Sequence, residues 1–594
     1  MTPSTDRSRH LYGAAGAAAA LAMLAAQLIW RVTANDDGVV QAFPELVAAA
    51  IARLTPLDVF ATVTESYGSL AKKTLLVVVC LGVVAVGARA GGEAGRISAG
   101  QPLARRFLTA LAASALLLLA TLAVILPVAN LGLFASESSY TGDILTQLAL
   151  TFLLWAVAWT LLTTPTGERT AALTGDVMPR RAVLRTFGLG AVAFAAGAGV
   201  AGSLRRMFRP PSSVGQPIGT GTAPVTGAAR VTPESQEAIN HSIVATQRAT
   251  LAETETPVGA VQDTDPAAAA VDDGREVAEL QAEATPAVAD PYAPFDQLED
   301  AGQLTPVLTT TDDFYHVSKN FSDPTVRADG WTLTIDGMVA TPLTLTHDQL
   351  VQRATTKKIT TLCCISNEIG GDLIGTAEWV GVPLADLLAE VGVQPGVVDL
   401  KLTAADDYSE SFPLERGLDP DTMVVVGMNG ELLRDDHGFP ARLIVPGIYG
   451  MKNVKWLKRI ELVDDDYQGY WQERGWSDPA PYQTWGRIDS PARGDIDPGP
   501  QQAAGVASAG DRGVSRVEVS LDDRGTWADA LLEPALNPPF TWVRWRFPFA
   551  ATPGKLDMWI RVTDGAGAVM DEDERSPLPD GATGWPQRHV TVRG

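Results

Sequence analysis

Residues 360–371 read TTLCCISNEIGG, and the reading of the folded half of the chain turns on its adjacent pair, Cys363 and Cys364. The lead-in from residue 354, ATTKKITTL, has the β-branched and polar mixture of a strand, and SNEIGG is a polar loop that closes on two glycines. A cysteine at a strand end beside such a loop can present a thiolate to solvent or to a metal. The commoner use of a cysteine is as a small buried hydrophobe. No CxxC pair or neighbouring His/Cys set accompanies the two, which argues against zinc, and a disulfide between adjacent residues would be strained.

Outward from this element the pattern stays mixed. Residues 331–350, WTLTIDGMVATPLTLTHDQL, read as strand, turn, strand and helix start. Residues 379–393, WVGVPLADLLAEVGV, contain a short helix with Leu384, Leu387, Leu388 and Val391 on one face and Gly392 at its end. Residues 442–462, RLIVPGIYGMKNVKWLKRIEL, give a buried strand, a Gly/Pro turn and a second strand. These make an α+β domain over 303–485. From 486 to 594 the period-two runs VSRVEVSLDDRGTWADALL, FTWVRWRFPF and KLDMWIRVTDGAGAVM alternate with Gly, Asp and Pro turns, which points to an all-β immunoglobulin-like sandwich.

The first 209 residues are of another kind. Five uncharged stretches, 11–30, 74–88, 107–136, 144–167 and 186–204, are candidate transmembrane helices forming an α-helical membrane bundle. The second is short and needs Lys73 and Arg89 to snorkel. Arginines flank alternate loops, which places the N-terminus inside and everything after residue 205 on the extracytoplasmic face of the cytoplasmic membrane; Lys72, Lys73, Arg205, Arg206 and Arg209 run against that pattern. Arg180–Arg181 before the fifth stretch has two readings: ordinary positive-inside arginines, or an internal twin-arginine export signal for a domain that crosses already folded. No stretch contains His, which argues against a haem conduit, or any internal charge, which argues against an ion pathway or transporter; an anchor or docking platform remains. Residues 43–60 between the first two stretches suit an amphipathic surface helix.

Residues 210–302 are Pro/Ala-rich, and over 210–300 they carry 15 Asp+Glu against three Arg, more than half of the chain's net −23. That composition predicts a disordered acidic linker, with part of 233–282 able to form transient helix. The overall charge also argues against a nucleic-acid partner, which would need a basic footprint.

Several motifs in consecutive order resemble the sulfite oxidase-type molybdenum enzymes: TLCCISNEIGG (361–371), WVGVPLADLL (379–388), DDYSESFPL (406–414), MNGELL (428–433), the 437–462 run beginning HGFPAR, and YWQERGW (470–476). The run from Arg516 to Gly567 resembles that family's dimerisation domain. The resemblance implies a molybdopterin (molybdenum cofactor) with molybdenum held by a protein cysteine. The family's Cys-x-x-Asn motif selects Cys364, with Asn367, over Cys363. His437 and Arg442 fall on cofactor-binding positions, Asn453, Val454 and Lys455 on the segment that holds the pterin's phosphate end, and Asp406 on a further pterin contact. The N-terminal cofactor segment falls on FYHVSKN (314–320), where Tyr315, His316, Ser318 and Asn320 are candidates. Arg and Lys suit a phosphate dianion, whereas Lys452 and Lys458 suit surface salt bridges.

The departures concern substrate. Sulfite oxidases carry an arginine after the ligand-loop asparagine and another in the N-terminal segment; here Glu368 follows Asn367, and FYHVSKN has no arginine. Trp476 stands where the family places a tyrosine near the metal, and with Cys364 it is a candidate catalytic residue. An acidic group would repel an oxyanion, so the expected substrate of this oxidoreductase is a small compound other than sulfite, such as a neutral sulfoxide. The chain has no CxxCH motif and no iron–sulfur cysteine set, so electrons require a separate carrier, a cytochrome or quinone-linked protein. The C-terminal resemblance implies a homodimer. The competing reading is a cofactor-free, membrane-tethered binding or assembly module.

Overall fold

Strand β3 (Thr356–Cys363) ends on the first cysteine, and its last five residues are buried. In this computed structural model the residues described are 3–33, 42–55, 57–129, 133–135, 141–163, 233–254, 290, 292–320 and 323–594. Around β3 the α+β region forms two sheets. The first has the order β3–β4–β7–β8 with β9 also pairing β7, where β4 is Ile374–Pro383, β7 Met423–Met428, β8 Glu431–Leu432 and β9 Arg442–Ile444. The second has the order β2–β1–β10–β5–β6, from β1 (Thr332–Gly337), β2 (Leu343–Thr346), β5 (Asp399–Ala404), β6 (Ser409–Pro413) and β10 (Leu457–Val463). Only β1 and β10 pair in parallel within these two sheets. One core, including Leu333, Ile335, Leu400, Leu402, Val424, Leu443 and Ile460, joins the sheets. The helix Leu384–Val391 buries the four apolar residues expected of it and stops at Gly392, which is left-handed.

The β-rich C-terminal region has two further sheets. One is β11–β13–β17–β16 (Trp485–Ser490, Gly499–Ser508, Val543–Ala551, Leu531–Leu532). The other is β12–β19–β18–β14–β15 (Gly494–Ile496, Gln587–Val592, Gly554–Asp564, Val514–Ser520, Ala528–Asp529). Ile488, Val517, Val519, Trp545, Met558 and Ile560 form their shared core. This region also grips β3: the Thr361 N–H donates to the Phe540 carbonyl at 2.9 Å, and the Trp542 N–H to the Thr361 hydroxyl at 2.7 Å. The strand that carries the cysteines is therefore clamped from both sides.

In the N-terminal bundle three described segments are long and apolar enough to cross a membrane: Thr74–Ser98, Ala104–Val128 and Ile144–Thr163. The apolar part of the first helix, α1 (Pro3–Thr33), is the shorter Leu11–Gln27. The expected span 186–204, with Arg180–Arg181 before it, lies outside the described residues. Small residues let α1 approach α3 (Leu57–Ser98): a Cβ on Gly16 would stand 2.2 Å from the Gly87 carbonyl oxygen, so the two backbones touch. Trp155 and Trp159 seal this contact by donating their indole N–H groups to the Gly16 and Tyr12 carbonyls, each at 3.3 Å. Buried Gln27, Gln147 and Thr151 hydrogen-bond one another across helices. The surface helix expected at 43–60 is α2 (Phe43–Leu54); it buries Phe43 and Leu46 against the bundle, and residues from Leu57 belong to α3 instead.

The linker departs most from expectation. Residues 255–289 lie outside the described residues, but Pro233–Thr254 is a helix docked on the folded exterior. Val244 joins a small core with Val307, Leu308, Ile359 and Leu536. Gln236 donates to the Asn429 carbonyl at 2.8 Å, and Gln247 to the Leu536 carbonyl at 2.9 Å. Arg248 pairs with Asp296 at 2.8 Å and with buried Glu533 at 2.7 Å. Asp296 belongs to a second helix of the expected linker, Ala293–Asp300, whose Phe295 and Leu298 are buried. Composition pointed to disorder because the few apolar residues are thinly spread; at helical spacing they suffice once another surface supplies the rest of the core. Arg248→Ala should cost the docked helix roughly 1–3 kcal/mol, read as faster amide hydrogen exchange over residues 236–251 with exchange in β7 unchanged.

Candidate active site

The end of β3 sends the two cysteines to opposite sides, as alternation along a strand requires. The Cys364 N–H still pairs with the Leu373 carbonyl at 2.9 Å, and the Asn367 N–H returns to the Cys364 carbonyl at 3.0 Å, closing a turn. Cys363 faces a wall of phenols. Its N–H donates to the Tyr482 hydroxyl at 2.9 Å, and its sulfur accepts from Asn367 Nδ2 at 3.5 Å. Burial pushes this thiol's pKa far up. The cavity beside it holds about 10 Å³, room for roughly one water. Cys364 lies on the other side, its sulfur 3.0 Å from the Ser366 hydroxyl. Burial raises its pKa as well, and Ser366 and the charge of Lys455 pull it back.

Three basic side chains gather within reach of one another, and the charge of one of them, Lys455, reaches Cys364. Arg442, on β9, lies over the Trp379 ring at 5.1 Å and donates to the His437 and Asn453 carbonyls at 3.2 Å each. Its Nε is buried without a partner. Lys455 reaches the Asp436 carbonyl at 2.9 Å. Among the described residues neither cation has a carboxylate within ion-pair distance. Burial lowers the Arg442 pKa to about 10; burial, with some repulsion from Arg442, lowers that of Lys455 to about 8. His437 is driven down to about 4, chiefly by burial. It faces the Thr311 carbonyl at 2.8 Å through Nε2, which must therefore carry the proton and leaves Nδ1 as an acceptor in the neutral ring. Gly438, at φ +104°, makes the gathering sterically feasible: a Cβ there would stand 2.9 Å from Lys455 Cβ and 3.2 Å from Arg442 Cβ. For Arg442, buried positive charge without an ion-pair partner is costly, whereas half-buried Lys455 feels Asp323, Asp436 and Asp406 at longer range. An orphaned guanidinium nitrogen, a lysine and a neutral histidine beside a thiol fit an anionic, phosphate-bearing group that also offers a soft metal.

The remaining candidates divide. Tyr315 stands in electrostatic contact with both cysteines and Arg442, and burial raises its pKa well above the usual value, so it keeps its proton. His316 is engaged by Asp323, its Nε2 2.5 Å from the carboxylate, and that carboxylate also feels the charge of Lys455. Asp406 is engaged by Lys319 at 3.3 Å and Asn320 at 2.7 Å and so secures the N-terminal segment. Asn367 and Asn453 brace loops instead of facing the basic cluster. Asn367 Oδ1 accepts from the Leu373 N–H at 2.9 Å; Asn453 accepts from the Val445 N–H at 2.6 Å and donates to the Ile448 and Tyr449 carbonyls. The Val454 side chain is in the core beneath. Trp476 packs with Ile369 and Met451 against the cluster around Cys363, Ile365 and Tyr449. Glu368, expected inside the substrate pocket, is exposed on the rim, and its carbonyl accepts from the Trp485 indole at 2.9 Å.

Sequence reasoning also missed a buried ionic cluster. Lys452, expected at the surface, is 1% exposed and bonds Glu410 at 2.9 Å, Asp478 at 3.1 Å and the Ser411 carbonyl at 2.8 Å. Tyr408 donates to Glu410 at 3.0 Å. Burial raises the Glu410 pKa against the pull of Lys452. The acidic partners lie 42 and 26 positions away in sequence, so no local pattern announces them.

Residues 320–471 match the family model described as the oxidoreductase molybdopterin binding domain. Mitochondrial sulfite oxidase of Drosophila melanogaster is 28% identical over 333 residues, covering 47% of this chain and 58% of that protein. The Homo sapiens mitochondrial sulfite oxidase is 31% identical over 233 residues, 33% of this chain and 43% of that one. NADH nitrate reductase of Solanum lycopersicum is 29% identical over 303 residues, 41% of this chain and 33% of that one. The chain thus spans about half the length of the curated relatives it matches. Among solved structures, the sulfane dehydrogenase SoxCD of Paracoccus pantotrophus aligns over 49% of this chain and 84% of its own, at a TM-score of 0.40 and 24% identity.

Two outcomes test this geometry. Lys452→Met leaves Glu410 buried and uncompensated and should cost about 3–5 kcal/mol in urea unfolding. Exchanging Glu410 for Gln in the same protein should restore part of that loss. His437 binds its proton less well folded than unfolded, so the unfolded chain takes up more protons between pH 6.5 and about 4. Stability of the metal-free protein should therefore fall as pH drops through that window, by on the order of 3 kcal/mol, and His437→Gln should flatten the decline.

Proposed function

The chain is, over residues 320–471, a molybdopterin-binding domain of the sulfite oxidase type, and from that premise we propose that it is a membrane-anchored molybdopterin-dependent oxidoreductase acting on a small substrate other than sulfite. The observation that carries the reading is the cluster of Arg442, Lys455 and neutral His437, in which the Arg442 Nε is buried without a partner and neither cation has a carboxylate within ion-pair distance among the described residues, with the charge of Lys455 reaching Cys364. Arg442 and Lys455 would hold the phosphate end of the cofactor, with His437 Nδ1 accepting a hydrogen bond. Cys364 would ligate molybdenum as a thiolate, a soft donor for that metal. When bound, the cofactor supplies two-electron, oxygen-atom transfer chemistry.

The chain's own residues set what can approach. Tyr315 keeps a proton that it can donate as a hydrogen bond. Trp476, Met451 and Ile369 pack against the cluster around Cys363 and leave partly exposed apolar surface at the base of the cysteine loop, which suits a neutral sulfoxide-like compound better than a hydrated oxyanion. Lys319 is the cation of the N-terminal segment, and its pairing with Asp406 removes it as an anion receptor.

The three apolar helices support attachment to a membrane; five spans, an inside N-terminus and an extracytoplasmic catalytic domain complete the proposed topology. Electrons pass to or from a separate carrier, a cytochrome or quinone-linked protein, since the sequence holds no CxxCH motif. The C-terminal sheets, read as an immunoglobulin-like dimerisation domain, would make the enzyme a homodimer.

Metal analysis of the purified chain from a molybdopterin-producing host tests the proposal. About one molybdenum per chain is expected in wild type, with Cys364→Ser losing oxidoreductase turnover of sulfoxides by at least about a thousandfold, on the scale of removing a group the chemistry depends on. Well-folded wild-type protein without molybdenum would leave the cofactor-free binding module. Sulfite turnover faster than sulfoxide turnover would overturn the substrate assignment alone.

A further inference from the structure

The loop after β3 contains two polar side chains that reach sulfur, and they divide the two cysteines between them. Asn367 Nδ2 points to Cys363, at 3.5 Å, and its Oδ1 is held by the Leu373 N–H. The Ser366 hydroxyl lies 3.0 Å from the Cys364 sulfur. Little freedom remains in this arrangement. The turn closed by the Asn367 N–H on the Cys364 carbonyl sets the Ser366 backbone, and buried Ile365 pins the residue before it. A metal-bound thiolate has no proton, so the hydroxyl must be the donor of this bond. Cys364 is 8% exposed, and a hydrogen bond to a charged acceptor in such a poorly solvated place is stronger than one in water.

We propose that Ser366 is a positioning residue for the metal centre: its hydroxyl donates to the Cys364 sulfur, orients that sulfur toward the basic side of the site and raises the reduction potential of the molybdenum it ligates. The proposal rests on the molybdopterin reading of Cys364. The physical reason is charge. A hydrogen bond withdraws electron density from the thiolate, which stabilises the electron-richer, reduced centre more than the oxidised one; hydrogen bonding around a ligand sulfur is an established lever on potential. Asn367, which the loop motif singles out, is directed elsewhere, its Nδ2 toward Cys363 and its Oδ1 toward the Leu373 N–H. The loop therefore uses the residue two positions after the ligand.

The experiment uses the full chain, loaded with cofactor, as wild type and as Ser366→Ala, Ser366→Gly and Ser366→Thr. Metal content is measured first, then the one-electron midpoint potential by redox titration followed by electron paramagnetic resonance. The effect of deuterium oxide on the metal–sulfur stretch is measured by resonance Raman spectroscopy. Equal metal content is expected throughout. The Ala and Gly variants should shift the redox equilibrium about tenfold toward the oxidised centre, equivalent to ~59 mV for a one-electron couple, and should show a smaller deuterium shift, the Ser366 backbone N–H remaining as a second donor to the sulfur. Threonine, which keeps the hydroxyl, should restore both. Wild-type potentials in both hydroxyl-free variants overturn the proposal. Metal loss in both, with threonine retaining it, also overturns it, because Ser366 then serves cofactor retention and not potential. Wild type without molybdenum is a different failure, that of the cofactor reading beneath, and the metal analysis alone identifies it.

Discussion

Buried positive charge is the constraint around which the rest of the site is arranged. Arg442 is braced by two carbonyls and an indole face, and Lys455 by one carbonyl, yet neither has a carboxylate within ion-pair distance among the described residues. Such a pair raises the free energy of the protein alone and lowers that of its complex with an anion. The surrounding structure explains how it is tolerated: β9 and the segment before β10 bring the two side chains together, and Gly438 leaves the space between them. His437 joins the cluster without adding charge, because burial keeps it neutral while the Thr311 carbonyl fixes its tautomer.

The same economy appears one strand away. β3 is paired on its edge by β4, capped by the phenol of Tyr482 and held by Thr361 to the C-terminal region. A strand so held cannot slip by one residue, and a slip would exchange Cys363 and Cys364 between the phenol wall and the basic side. The C-terminal sheets thus take part in defining which cysteine is available, whatever they contribute to assembly. The docked helix Pro233–Thr254 extends this linkage: the Thr311 hydroxyl donates to Gln236 and the Thr311 carbonyl orients His437, so the first turn of this helix lies against the support of the basic cluster.

Much of the site was legible before any coordinates. The grouping of His437, Arg442 and Lys455 is what the family resemblance of consecutive motifs implies, and the fold does bring the three together; the selection of Cys364 over its neighbour rests on that resemblance and belongs to the proposal. Asn367, Asn453 and Val454 belong to those motifs as well, but the fold employs them as braces and core. Motif membership reports that a residue matters and does not report which way its side chain points. Glu368 was misjudged for the same reason: position after Asn367 put it near the loop, and only the fold put it in solvent.

The sequence by itself determined the kind of chain this is: a strand-loop cysteine, an apolar N-terminal third and a period-two C-terminal region are local patterns, set by covalent order and side-chain chemistry. Tertiary structure alone decided what depends on residues distant in sequence. Lys452 became a buried ion because Glu410 and Asp478 arrive from other elements, and the acidic linker became partly a docked helix because Val307, Leu308 and Leu536 complete a core that it cannot form alone. Burial and charge pairing are properties of three-dimensional neighbourhoods, and composition along the chain is blind to them.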